Sequence, residues 1–363
     1  MSNKNEMIKK ITFVGVVFIT LVMFTVAFVH NIVVGDSPSS EDVVDVLAGT
    51  SDENAQSSES VTDEESFEEQ TEPESESEAP ESSEEESSEE GYMAGATHSI
   101  IEGVSVSSPY CFVYDATENV ILYEKNAYER CYPASVTKLL TAAVAMEYVP
   151  LDTPFKVGAE INFVGYNSSM AYIKEGSSFL LGDLLYAMLL PSGNDAAYTI
   201  AVNTARYLYG DSLSDEEAVE KFMELCNEKL LEIGAYNTSF TCPDGYHNDE
   251  HYTTAYDMAL ISLYATSFEE ISTACGTYEY YCKSVEGEAM GWLNTNPLLK
   301  KKGQYYCEYA TGLKTGSTTE AGKCLATMAE KDGKKLYIVV LGASTVDIRN
   351  NDTLAVIRSV FGE

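Results

Sequence analysis

Residues 131–148, CYPASVTKLLTAAVAMEY, read as a helix that is apolar on nearly every face. Its first turn nevertheless carries Ser135 and Lys138, three residues apart and so on one face. A buried helix gains no stability from setting a hydroxyl beside an amine, so the pair asks for a chemical reason. A serine hydroxyl is a poor nucleophile until a base removes its proton. The chain has four histidines and no G-x-S-x-G elbow, which leaves the lysine as the base at hand. An apolar wall of Val136, Leu139, Leu140 and Ala143, with a second cation, would lower its pKa from ~10.4 toward neutrality. Pro133 suits the start of such a helix, whose first N–H groups would face a developing oxyanion.

Two further stretches supply partners. In LLPSGNDAA, residues 189–197, Pro191-Ser192-Gly193 breaks one helix and Asn194-Asp195 opens the next. Ser192 is placed to relay a proton between Lys138 and a leaving amine, and Asn194 to bond the lysine and a substrate amide. In GLKTG, residues 312–316, Lys314 is a point charge on a predicted strand and Gly316 leaves room for an approaching substrate. An extended peptide would add alongside that strand, with Lys314 and Thr315 holding its terminal carboxylate.

The elements around these motifs define an α+β fold. PYCFVYDATENVILYEK predicts two strands about a turn at residues 115–118. Helices are expected over residues 180–190, 194–209 closed by Gly210, 216–233 closed by Gly234, and 254–265. EYATGLKTGS, GKCLATMAE and KKLYIVVLGAS read as three strands, the last two joined at Lys331-Asp332-Gly333, and residues 353–361 as a closing helix. Strands at both ends with helices between them give one antiparallel sheet flanked by helices, with an inserted helical lobe.

Residues 91–363 form this folded body, which carries −16 of the net charge of −36. An acidic body excludes nucleic acid as a partner. Residues 36–90 hold 22 acidic residues and no Lys or Arg, a Ser/Glu tract expected to be a disordered linker reaching roughly 40 Å as a coil. Residues 11–29 are uncharged and follow Lys4, Lys9 and Lys10. Their length fits a retained transmembrane anchor, within residues 1–35, with the N-terminus inside and the body outside the cell. Secretion after cleavage near Val33-Val34-Gly35 is the alternative. The eight cysteines all lie in the exported part, where disulfides are permitted, and Cys275 and Cys282 are close enough to pair locally.

Taken in order, S-x-x-K, S-x-N and K-T-G form the signature set of penicillin-binding proteins and class A β-lactamases. PASVTKLLTA, LLPSGNDAA, HYTTAYDMALI and GLKTGSTTEAGKCL resemble the blocks of the D-alanyl-D-alanine carboxypeptidases among the low-molecular-mass penicillin-binding proteins. The resemblance runs over residues 110–361 and implies a β-lactamase/transpeptidase-like fold that uses no cofactor. It implies that Ser135 is acylated by the carbonyl between the last two D-alanines of a peptidoglycan stem peptide. Lys138 would be the base, Ser192 the relay, and Asn194 a substrate contact. Lys314 and Thr315 would take the carboxylate, the backbone N–H groups of Ser135 and Ser317 the oxyanion. β-Lactams would acylate the same serine. Many members carry a second, β-rich domain and a C-terminal amphipathic anchor. Only 19 residues follow Ser344, so the N-terminal span is expected to do the anchoring.

Two stretches imitate other chemistries. His247-Asn248-Asp249-Glu250-His251 matches the H-x-x-E-H zinc pattern but follows a turn sequence, where its two imidazoles would not share a helix face. Glu224-Leu225-Cys226-Asn227 resembles a β-lactamase deacylation loop but falls within a periodic helix. A β-lactamase-type hydrolase and a catalytically silent wall-binding sensor are thus the rival readings.

Overall fold

The computed structural model describes residues 91–362; the expected anchor and acidic linker lie outside the described residues. A two-residue strand, β1 (Thr97–His98), precedes the expected hairpin of β2 (Tyr110–Asp115) and β3 (Val120–Lys125). The quoted helix begins later than the sequence suggests. Cys131 pairs with Thr253 as an isolated bridge, residues Ala134–Thr137 form a 3-10 turn, and α1 runs over Lys138–Tyr148. The delay follows from Ala134, whose φ of 49° is left-handed.

The helical lobe comes next. β4 (Pro154–Lys156) pairs with β5 (Ser178–Leu180), followed by α2 (Leu181–Leu189), α3 (Asn194–Tyr209) and α4 (Asp215–Glu232). Gly210 closes α3, and Ser214 with Glu217 forms a capping box for α4. α5 (Ala255–Thr266) and a short α6 (Glu269–Gly276) return the chain toward the sheet. The hairpin of β6 (Glu279–Lys283) and β7 (Ala289–Leu293) follows. The expected C-terminal strands are β8 (Ala310–Thr318), β9 (Gly322–Lys331) and β10 (Lys334–Ala343). The closing helix α7 (Val346–Phe361) starts earlier than residue 353, where the Thr345 hydroxyl accepts the Ile348 N–H.

The main sheet runs β1-β3-β2-β10-β9-β8 and is antiparallel except where β1 lies parallel to β3. Period-two alternation divides its residues. One face presents Phe112, Tyr114, Met328, Tyr337 and Val339 to the core that includes α1 and α5. The other presents Val113, Leu325, Leu336, Ile338 and Val340 to Leu354, Val356 and Ile357 of α7. The strand order leaves β8 at an edge, beside the nucleophile turn.

All eight cysteines are free. The local Cys275–Cys282 pairing does not form, because Cys275 is buried at the end of α6 while Cys282 lies on β6. No helix among the described residues is long and apolar enough to cross a membrane.

Candidate active site

Ser135 and Lys138 meet as their spacing requires. Lys138 Nζ lies 3.0 Å from Ser135 Oγ, and it also donates to Asn194 Oδ1 at 2.8 Å and to the Asp244 carbonyl at 2.6 Å. The lysine is fully buried, whereas Ser135 opens onto a cleft of about 600 Å³. Burial pushes the Lys138 pKa down to about 8, against the opposing pull of Asp244 and Asp195. The expected second cation acts the other way round. Burial and then the charge of Lys138, with a contribution from Arg349, hold Lys314 well below its ordinary range.

The segments that carry these groups are strained. Ala134 and Ser192 are both left-handed, with φ of 49° and 64°, a conformation costing about 1–3 kcal/mol at each non-glycine residue. Close packing enforces it. A Cβ on Gly316 would stand 2.8 Å from Pro133 O and 3.1 Å from Ser135 N, and one on Gly193 would stand 2.6 Å from Ala187 O. Gly316 is therefore bare because β8 presses on the nucleophile turn, a closer constraint than clearance for substrate.

Asn194 sits where the sequence expected, bonded to the lysine. The hydroxyl of Ser192 is buried and has no hydrogen-bond partner among the described residues. Lys314 is buried and donates to the Thr315 carbonyl at 2.9 Å, while Thr315 Oγ1 lies 2.7 Å from Thr295 Oγ1. Ser317 lines the cleft, its hydroxyl accepting from Lys323 at 2.7 Å. Ser168 Oγ and His247 Nδ1, on two cleft-lining residues, are likewise buried without partners among the described residues. Buried polar atoms are rarely left unpaired, so these are groups that a polar occupant of the cleft would satisfy.

Several residues of the site carry no local signal in the sequence. Asp244 contributes a backbone carbonyl, which any residue type supplies. Asp195 accepts from the N–H groups of Ala171 and Ile173 at 2.8 and 3.1 Å, bracing the loop whose residues 166–169 form one cleft wall. Arg349 of α7 is buried, donates to Asn350 Oδ1 at 3.0 Å and to the Cys324 carbonyl at 3.4 Å, and helps depress Lys314.

The imitators fall away from the chemistry for positive reasons. Residues 247–251 are not helical, and both ring nitrogens of His251 are bonded, to Thr137 Oγ1 at 2.8 Å and to the Thr241 N–H at 3.0 Å. Glu224 lies on α4, paired with Lys221 at 2.6 Å.

A serine beside a buried lysine at the head of a core helix, an S-x-N turn that reaches the cleft through Asn194, and an edge strand that reaches it through Ser317, with Ser192, Lys314 and Thr315 set behind its lining, define the fold class of the serine DD-peptidases. Comparison with known proteins agrees. Residues 97–345 match the peptidase S11 family model, described as D-alanyl-D-alanine carboxypeptidase. DacF of Bacillus subtilis (strain 168), a D-alanyl-D-alanine carboxypeptidase, is 33% identical over 246 residues, 67% of this chain and 59% of DacF. The D-alanyl-D-alanine carboxypeptidase of Streptomyces sp. (strain K15) is 30% identical over 249 residues, 66% of this chain and 82% of that protein. The crystal structure of the Streptomyces K15 DD-transpeptidase superposes with a TM-score of 0.65 at 29% identity, covering 71% of this chain and 98% of that one. The chain belongs to the D-alanyl-D-alanine carboxypeptidase family, and its match spans less than two thirds of the length of DacF.

Proposed function

We propose that this protein is a serine D-alanyl-D-alanine carboxypeptidase that removes the terminal D-alanine from peptidoglycan stem peptides. The observation that carries the reading is a fully buried amine, its pKa near 8, 3.0 Å from a serine oxygen that opens onto the cleft. The names of the relatives supply the substrate class.

In this reading neutral Lys138 takes the proton as Ser135 Oγ bonds the carbonyl carbon between the last two D-alanines. The oxyanion is held by the backbone N–H groups of Ser135 and Ser317. As the tetrahedral centre collapses, the C–N bond breaks and D-alanine leaves as an amine, its proton returned from Lys138 through the Ser192 hydroxyl. Water then attacks the ester, restores Ser135 and releases the shortened peptide. Lys314 and Thr315 take the terminal carboxylate, Arg349 adding positive potential behind them. A β-lactam would acylate the same serine. We place the reaction outside the cell membrane, with residues 11–29 as anchor and 36–90 as tether.

The test is release of D-alanine from a pentapeptide ending in D-Ala-D-Ala, paired with mass spectrometry after penicillin treatment. The parent is expected to release D-alanine and to gain an adduct that Ser135→Ala lacks. Absence of both from the folded parent overturns the reading in favour of a silent wall-binding protein. Rapid penicillin hydrolysis without D-alanine release overturns it in favour of a β-lactamase.

A further inference from the structure

Beneath the nucleophile turn lies a polar chain to which the sequence motifs assign no role. Thr137 Oγ1 donates to the Ala134 carbonyl at 2.8 Å. Its single proton is thereby used, so toward His251 Nε2, 2.8 Å away, the hydroxyl can only accept. On the other side of the ring, Nδ1 accepts the Thr241 N–H at 3.0 Å. Both partners demand the same tautomer, a neutral imidazole protonated at Nε2. His251 is 2% exposed, and its ring stacks on Phe240 with centroids 4.7 Å apart and planes 7° from parallel.

The chain ends at the carbonyl of Ala134, the left-handed residue whose conformation sets the direction of Ser135. The same carbonyl is crowded from above, since a Cβ on Gly245 would stand 2.0 Å from it. Gly316 closes on Ser135 N from the edge strand. Steric contacts thus block the turn from two sides, and the His251–Thr137 chain adds a directional side-chain bond to the carbonyl of this 3-10 turn.

We infer that His251 is a positioning residue for the nucleophile, acting as a neutral Nε2–H donor through Thr137 to fix the Ala134 carbonyl and so the aim of Ser135. Burial, then the charge of Lys138 and the presence of His247, push the His251 pKa down to about 3. The imidazole stays neutral wherever Lys138 titrates. Lys138, His247 and Cys242 are the titratable side chains facing it. The inference rests on the reading of Ser135 as the acylated serine.

Three variants test it, each measured for thermal melting and for the pH dependence of Ser135 acylation by penicillin. Thr137→Val keeps shape and removes the hydroxyl; His251→Phe keeps a ring and removes the donor; His251→Gln keeps a donor near the Nε2 position. Misplacing a reacting group by an ångström costs up to about 100-fold, so Thr137→Val and His251→Phe are expected to lower the plateau acylation rate by about 10- to 100-fold. The midpoint of the profile should stay at the parental pH, and His251→Gln should recover most of the rate. Parental acylation rates in folded Thr137→Val, with only the melting temperature lowered, would overturn the inference. A shifted midpoint would overturn it too, by making His251 an electrostatic partner of Lys138. Failure of the parent itself to acylate would instead sink the reading of Ser135 and the inference with it.

Discussion

The two faces of the sheet obey opposite rules. The face under α7 is hydrocarbon at nearly every inward position, with Val113, Leu336, Ile338 and Val340 against Leu354, Val356 and Ile357. The face under α1 and α5 is just as dry, yet at its β8 edge it buries Lys138 and Lys314, two left-handed residues and a serine hydroxyl without a partner among the described residues. Charge without water is costly, and left-handed backbone is strained. The hydrocarbon part of the first face serves stability, while Arg349 of α7 carries positive charge from that side toward Lys314. The second gives up stability to keep an amine short of its proton, and the first makes that tolerable.

Substitutions on the two faces should therefore separate function from stability. The largest effect belongs to the dyad. Ser135→Ala should abolish penicillin acylation, and Lys138→Met should lower it by on the order of 10³- to 10⁶-fold. Moving the lysine pKa from 10.5 to about 8 corresponds to roughly 3 kcal/mol of opposition to its charge. Lys138→Met should accordingly melt no lower than the parent at neutral pH; a steep fall would erase the contrast between the faces. On the α7 face the pattern inverts. Ile338→Ala should cost about 2–5 kcal/mol in denaturant unfolding while folded molecules acylate at the parental rate.

Gly316→Ala lies on the boundary between the two regimes. The added methyl meets Pro133 O at 2.8 Å and Ser135 N at 3.1 Å, so acylation should slow by about tenfold or more, with a smaller change in melting. A subtler effect concerns Lys314, which burial and its cationic neighbours hold well below its ordinary pKa. Arrival of a carboxylate favours the charged form, so a D-Ala-D-Ala ligand should bind with net uptake of protons. Calorimetry in buffers of different ionisation enthalpy would detect that uptake. Smallest of all, Lys221→Ala removes an exposed pair with Glu224 and should leave both the melting temperature and the acylation rate at parental values.

How far the sequence discloses the molecule follows the same division. The period-two strands and α3, framed by Pro191-Ser192-Gly193 and Gly210, are readable because local punctuation and burial agree there. The first turns of α7 escape because Arg349, Asn350, Asp352 and Thr353 are buried polar residues, which breaks the apolar periodicity that reveals a helix. The short α6 and the small hairpins lack enough length for a period to show. Within the site, Ser135, Lys138 and Asn194 stand inside compact motifs. The Asp244 carbonyl, the Asp195 brace and the Thr137–His251 bond join segments up to 114 residues apart, or act through backbone atoms. Residue identity leaves no trace of such contacts.

The most direct test of the account is the rate of Ser135 acylation by penicillin followed from neutral to alkaline pH, with folding monitored in parallel. Below its pKa Lys138 is an ammonium and cannot accept the serine proton; above it, it can. The rate should therefore climb with pH through a midpoint of about 8. A rate already at its plateau well below that midpoint, or a midpoint near the ordinary lysine value of 10.5, would contradict the claim that burial makes this lysine the base.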